Sequence, residues 1–153
     1  MDGSMSDRLR AVISYDPVTG VLSRKGRPLT GTNTAGYIQL MVDSQFYYGH
    51  RLAWWLHYGK WPTGEIDHIN GNKSDNRIVN LRLATRGQNV DNRKKHRTGP
   101  KGAFRFKRGP KWTAQIRHDG VKYHLGVFDD ERIAHEAYCE AARRLKGEFA
   151  RLD

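Results

Sequence analysis

Cysteine is almost absent from this 153-residue chain. The one thiol, Cys139, can close no internal disulfide and by itself can hold no zinc, so the fold has no covalent staple and a reducing, cytoplasmic compartment suits it. Long apolar runs are missing as well. No stretch approaches the roughly 20 residues that cross a bilayer, and nothing behind the N-terminus has the apolar core of a signal peptide, so no membrane partner is expected. Acids are scarce: 16 Asp and Glu face 27 Lys and Arg, a formal charge of +11. Self-repulsion of that size points to a polyanionic partner, nucleic acid first. Apolar residues make up 37%, enough for a modest core in one ordinary domain or two very small ones.

What the chain does have in quantity is asparagine, and it is concentrated. Glu65 to Asn92 holds six, together with the pair Asp67-His68. Asparagine favours neither helix nor strand, so such a stretch is a poor plain scaffold. Around it the pattern is more ordinary. Residues 1–10 read as a tail, whose Met1–Ser4 precede a second methionine, Met5. Tyr15 to Gly20 is turn-rich, and Val21–Arg24 reads as a short strand. Gly36–Val42 and Gln45–Tyr48 read as a hairpin about Asp43-Ser44. His50–Tyr58 has apolar residues at helical spacing and stops at Gly59. Glu65–Ile69 reads as a strand, Asn76–Leu83 as irregular chain, and Thr85–Asn92 as a short helix. Asn70, Gly71, Asn72 and Asn76 read as turn formers, His50 and His57 as structural or surface histidines, and Trp54, Trp55 and Trp61 as packing.

From Arg86 to Arg117 there are eleven Lys or Arg and one acid, Asp91, so the excess charge is concentrated. Residues 93–102 read as a basic linker between two domains, 11–92 and 103–153. The second domain reads as three strands, Ala103–Lys107, Trp112–His118 and Val121–Phe128, with Asp119-Gly120 as a hairpin turn. A helix capped by Asp129 or Asp130 follows and runs to about Lys146, with Ile133, Ala134, Ala137, Tyr138, Ala141 and Leu145 on one face. The fold class expected is α+β.

Hydrolysis of a phosphodiester needs a base for water, positive charge at the leaving oxygen, and a group that fixes the base. Asp67 offers a hard oxygen suited to Mg²⁺, His68 an imidazole, and Asn80 and Asn89 amides. The pattern DHINGN…N…NLR…QN resembles the HNH endonucleases, the phage-type homing enzymes in particular. That resemblance implies a ββα nuclease fold with Asp67 and Asn89 as metal ligands, His68 as general base and Asn80 aligning His68. With asparagine rather than histidine at position 89, the implied ion is Mg²⁺, or Mn²⁺, rather than zinc.

The run from Lys111 to Asp153, with Lys111-Trp112, Gln115-Ile116-Arg117, YHLGVF at 123–128 and an Ala-rich helix, resembles the AP2 DNA-binding domain. That implies a three-stranded antiparallel sheet on one helix, its open face on DNA. Alternation places Trp112, Ala114 and Ile116 on one face and Thr113, Gln115 and Arg117 on the other. Arg105, Lys107, Thr113, Gln115, Arg117, Lys122 and Tyr123 are expected near DNA, with Arg105 and Arg117 able to pair with guanine. Trp112 either packs on the backbone of the DNA or fills the core. Arg82, Arg86, Arg93, Lys94 and Lys95 extend the contact towards the cut.

The function expected is therefore a metal-dependent endonuclease acting on double-stranded DNA as a monomer or homodimer. A DNA-binding regulator on an inactive nuclease scaffold and an RNA-binding protein are the alternatives that charge alone leaves open.

Overall fold

The structure, a computed structural model, describes residues 3–91, 99–106 and 109–152. It is α+β and divides into two compact units, 1–86 and 87–153.

The first unit opens with helix α1 (Gly3–Val12), so residues 1–10 are not the tail their polarity suggested. Met5, Leu9 and Val12 recur at helical spacing, and Leu9 is fully buried among Ile13, Leu22, Leu40, Val42, Tyr47, Leu52 and Trp55. Strands β1 (Ile13–Tyr15), β2 (Leu22–Arg24) and β3 (Arg27–Pro28) form an antiparallel sheet in that order. Strands β4 (Gln39–Val42) and β5 (Gln45–Tyr48) form a hairpin whose turn residues, Asp43 and Ser44, take φ of 49° and 62°. Those are the left-handed values of a tight two-residue turn. Leu40, Val42 and Tyr47 face the core, while Met41 and Phe46 pair on the outer face.

Helix α2 (Gly49–Tyr58) begins directly after β5 and stops at Gly59, whose φ of 73° and N–H bond to the Trp55 carbonyl close the last turn. Trp55 and Trp61 stack with centroids 5.2 Å apart at 9°, which places both tryptophans in packing roles. Strand β6 (Glu65–His68) then pairs antiparallel with β7 (Leu81–Ala84). Residues read as irregular thus form a strand, because its partner lies across a twelve-residue loop that no local pattern reveals. Helix α3 (Arg86–Asp91) follows.

In the second unit, β8 (Ala103–Arg105), β9 (Trp112–His118) and β10 (Val121–Phe128) make an antiparallel sheet with β9 in the centre. Helix α4 (Glu131–Lys146) packs across all three. Ala103, Ala114 and Ala134 form one cluster beneath it, and Ile116, Tyr138, Cys139, Ala141 and Ala142 form another. Small residues let the helix lie close: a Cβ on Gly102, at φ 82°, would collide with the Tyr138 side chain. Asp130 caps α4, its Oδ1 accepting from the backbone N–H of Arg132 (2.7 Å) and of Ile133 (3.3 Å). Asp130→Ala is expected to cost about 1 kcal/mol, read as a lower thermal midpoint of this unit. An unchanged midpoint would mean that the cap contributes nothing.

Candidate functional site

In the first unit the polar residues converge on the β6–β7 hairpin and its loop. The asparagines of that loop are mostly joinery. Asn70 Oδ1 accepts from the Asn72 N–H (2.8 Å), and Asn72 Oδ1 accepts from the Ser74 N–H and hydroxyl. Asp75 ties the loop together, holding Arg77 Nε (2.8 Å), Arg77 Nη2 (2.6 Å) and Asn70 Nδ2 (2.7 Å). These donors hold the Asp75 carboxyl at a pKa of about 2, the hydrogen bonds from Arg77 being the largest cause.

Asn80 belongs to the same joinery. Its Oδ1 accepts from the Asn70 N–H (3.0 Å) and its Nδ2 donates to the Asp75 carbonyl (2.8 Å). The expectation that Asn80 aligns His68 is corrected: both ends of the amide are spent on the loop backbone. The amide that meets the imidazole is Asn76, with Oδ1 3.2 Å from His68 Nε2. Asn76 is 1% exposed. The Tyr15 hydroxyl donates to its carbonyl (2.8 Å), and Gly20, at φ 76°, lies so close that a Cβ there would collide with the Arg77 backbone N.

His68 ends β6 and is 4% exposed. The pleat turns it away from its neighbour Asp67. His68 faces His50, ring centroids 5.3 Å apart at 74°, and Tyr37 at 6.0 Å. Burial pulls the His68 pKa below its usual value, against the Asn76 bond and the Asp67 charge, which raise it. The ring is therefore neutral at pH 7, as a base must be. In the Nε2–H tautomer the ring donates to the Asn76 amide oxygen and keeps its lone pair on Nδ1.

His50 was read as structural and is in fact part of this cluster. It sits in the first turn of α2, 8% exposed, stacked on Tyr48 (5.5 Å, 28°) and 5.1 Å from Tyr37. Its Nδ1 is buried with no hydrogen-bond partner. Burial first, then the His68 and Arg51 charges, pull its pKa to about 3. Above pH 6.5 folded and unfolded states are both neutral here. Below it the unfolded chain gains a proton that the folded one refuses. Stability is expected to fall by about 1.4 kcal/mol per pH unit from pH 6.5 towards pH 3 on account of His50. Urea midpoints followed by tryptophan fluorescence across that window check this, and His50→Gln makes the slope shallower, the remainder belonging to His68 and Asp75. A flat profile in the unmodified protein sinks the assignment.

On the other face of the hairpin, Asp67 pairs across strands with Arg82. Arg82 Nε and Nη2 both reach Asp67 Oδ2, at 2.9 and 2.8 Å, with side chains 11% and 5% exposed. Arg82 is thus committed to a buried carboxylate and is not the open phosphate contact expected of it. Arg86, the first residue of α3, is exposed. Arg93, Lys94, Lys95 and Lys107 lie outside the described residues. Asn89 is half-buried on α3 in the second unit, so the first unit by itself gathers Asp67, His68 and Asn80 but not Asn89. As a donor, Asp67 fits Mg²⁺ chemistry: a buried anionic oxygen that already holds a cationic group, in a site needing only one or two protein oxygens beside phosphate and water. Among the described residues no three His, Cys, Asp or Glu are grouped to hold a metal by themselves.

In the second unit, register sorts the expected DNA contacts. Gln115, Arg117 and Lys122 lie on the face that α4 leaves open, Arg117 directly opposite Lys122. Arg105 pairs with Trp112 and Tyr123 with Ile116, which places both on the helix side. Trp112 packs against the alanine cluster under α4, so it fills the core. Thr113 is on the open face but buried, its hydroxyl 2.9 Å from His124 Nε2 and 3.2 Å from the Gly126 carbonyl. Arg105 and Tyr123 are nonetheless exposed, and Trp112 takes the core alternative of the two expected for it.

Residues 47–91 match the family model described as HNH endonuclease. The chain is 32% identical over 107 residues to Protein 3.8 of Escherichia phage T7, covering 67% of this chain and 88% of that one. It is 34% identical over 93 residues to the uncharacterized HNH endonuclease L560 of Acanthamoeba polyphaga mimivirus. Residues 47–91 thus form an HNH endonuclease domain within the chain. The mimivirus match takes in 60% of this chain and only 49% of its relative, so the chain spans about half the length of that protein. The HNH match contains the whole β6–β7 hairpin, its loop and α3, the segment that bears Asp67, His68, Asn76, Asn80 and Asn89. It also takes in His50 and α2. No solved structure matches the chain. Among the described residues no helix is long and apolar enough to cross a membrane.

Proposed function

We propose that the protein is a metal-dependent DNA endonuclease of the homing type, with His68 as its general base. The observation that carries this reading is the His68–Asn76 contact inside the HNH-matched segment: a buried imidazole with an amide oxygen 3.2 Å from Nε2, to which the Nε2–H tautomer donates. Nδ1 is then the atom that takes a proton from the attacking water. The water oxygen bonds to phosphorus, the bond to the 3′-oxygen breaks, and 5′-phosphate and 3′-hydroxyl ends result. Asp67 and Asn89 would hold Mg²⁺ or Mn²⁺, which when bound supplies positive charge near the leaving oxygen. Asn76 sets the tautomer, and Asn80 and Asp75 hold the loop that carries Asn76.

DNA affinity is assigned to the AP2-like sheet. Arg117 opposite Lys122 is a like-charge cross-strand pair, unfavourable by itself and relieved by a phosphate between them. Gln115 on the same face has an amide that can read a base edge. With one His68 per chain, a monomer cuts one strand at a time.

The test is incubation of supercoiled plasmid with the protein and Mg²⁺ or Mn²⁺, beside an EDTA control, with product sorted into nicked and linear. Nicked circles that precede linear DNA and vanish with EDTA support the reading. Tight DNA binding without cleavage in any divalent metal replaces it with the regulator, and linear product with no nicked intermediate replaces the monomer with a dimer. Competition by structured RNA that exceeds competition by duplex DNA overturns the substrate.

A further inference from the structure

The β4–β5 hairpin carries an apolar surface that the site as described does not use. On its outer face Met41 is 50% exposed, Phe46 64% and Tyr48 41%, with Met41 and Phe46 direct cross-strand partners. An open groove beside it is lined by Gln45, Phe46, Tyr47, Tyr48, Arg51 and Trp61. A contiguous exposed patch of this kind on a two-stranded hairpin invites association, and a chain that keeps one has a partner for it. Two observations identify the partner. The first is position. Tyr48 stacks on His50 and His50 meets His68, so a line of ring contacts runs from Tyr48, on the same strand face as Phe46, to the general base. The second is charge. Arg24 Nη1 donates to the Met41 carbonyl (2.9 Å), tying the β2–β3 turn to the hairpin, and the exposed Arg24, Lys25 and Arg27 line a shallow basic groove there. Aromatic rings bordered by cations are the surface on which unpaired bases stack while their phosphates are neutralised.

We propose that Phe46, Tyr48 and Met41 form a stacking platform for one or two unpaired bases of the DNA strand entering the His68 site, with Arg24, Lys25 and Arg27 taking the adjoining phosphates. The proposal rests on the nuclease reading for the direction of the strand. It places local melting of the duplex in the protein's own work: bases next to the cut leave the helix and are held on the hairpin. Unstacking costs least where pairing is already weak, so the platform favours mismatched or nicked DNA over a perfect duplex.

The experiment uses the full chain in EDTA, so that nothing is cut. Fluorescence anisotropy compares a labelled duplex bearing a central mismatched bubble with the fully paired duplex, for unmodified protein, Phe46→Ala and His68→Ala. Unmodified protein and His68→Ala are expected to prefer the bubble, and Phe46→Ala to lose roughly fivefold or more of that preference. Because Phe46 is largely exposed, its removal leaves the melting midpoint unchanged, which separates a lost contact from a lost fold. Lys25→Ala is expected to weaken both DNAs alike and to flatten the salt dependence. An intact bubble preference in Phe46→Ala overturns the proposal. So does its absence in the unmodified protein. Loss of self-association with DNA binding unchanged overturns it too, and assigns the face to a second copy of the chain. If the unmodified protein never cuts DNA but Phe46→Ala loses the preference, the nuclease reading fails and the platform stands.

Discussion

His68→Ala is expected to lower the rate of plasmid nicking by roughly 10²- to 10⁴-fold, the range that a general base contributes, with little change in DNA affinity. Affinity is expected to hold because phosphate contacts elsewhere carry it, while the lost Asn76 bond and the cavity lower the melting midpoint, so nicking is compared well below that midpoint. Single-turnover nicking and anisotropy on the same preparations measure the two quantities. A variant that still nicks within a few-fold of the parent ends the assignment of His68 as base. Asn76→Asp refines it. An anion in place of the amide keeps the acceptor at Nε2 but favours the imidazolium, so the His68 pKa rises. A base is active only when deprotonated, so the pH–rate profile is expected to move to higher pH. A merely structural Asn76 would lower the rate without moving the profile.

The chemistry of the site was more legible in the sequence than its wiring. Adjacent Asp and His on a short apolar strand, followed by asparagines, could be seen because the residue types are rare together and the spacing is local. The strands of the second unit could be seen for the same reason: alternation, an Asp-Gly turn and an Asp cap are all signals within a few residues. Three kinds of feature could not. Strand β7 exists only through its pairing with β6. Helix α1 has four apolar residues in ten, too few to stand out until Leu9 is seen in the core of the unit. The third kind is the partner choice of polar side chains. Asn76 and Asn80 are four residues apart in one loop with the same amide, and only the folded loop decides which of them meets His68. The faces of Arg105 and Tyr123 follow from register against β9, opposite Trp112 and Ile116, which no single strand's pattern contains. His50, expected as structural, is buried and stacked, and only the fold shows that its ring neighbour is His68.

Arg82→Ala is expected to destabilise the first unit by about 3 kcal/mol, because it removes a counter-charge held by two bonds to the buried Asp67 carboxylate. Its tryptophans Trp54, Trp55 and Trp61 report the transition, whereas Trp112 belongs to the second unit. Arg82 Nε and Nη2 both bond Oδ2, a two-pronged contact that an ammonium does not reproduce, so Arg82→Lys is expected to restore only part of the loss. The same geometry makes Arg82 informative about metal. If Asp67 is a ligand for Mg²⁺ or Mn²⁺, the ion and the guanidinium neutralise one carboxylate, and the ion matters more when the guanidinium is gone. The gain in melting midpoint on adding Mn²⁺ is then larger in Arg82→Ala than in the parent, by mass action on the folded state. Equal gains in the two proteins would show that the ion binds elsewhere and would remove Asp67 from the metal site. An unshifted midpoint in metal-free Arg82→Ala would show instead that solvent reaches the carboxylate and that the pair is not buried in solution.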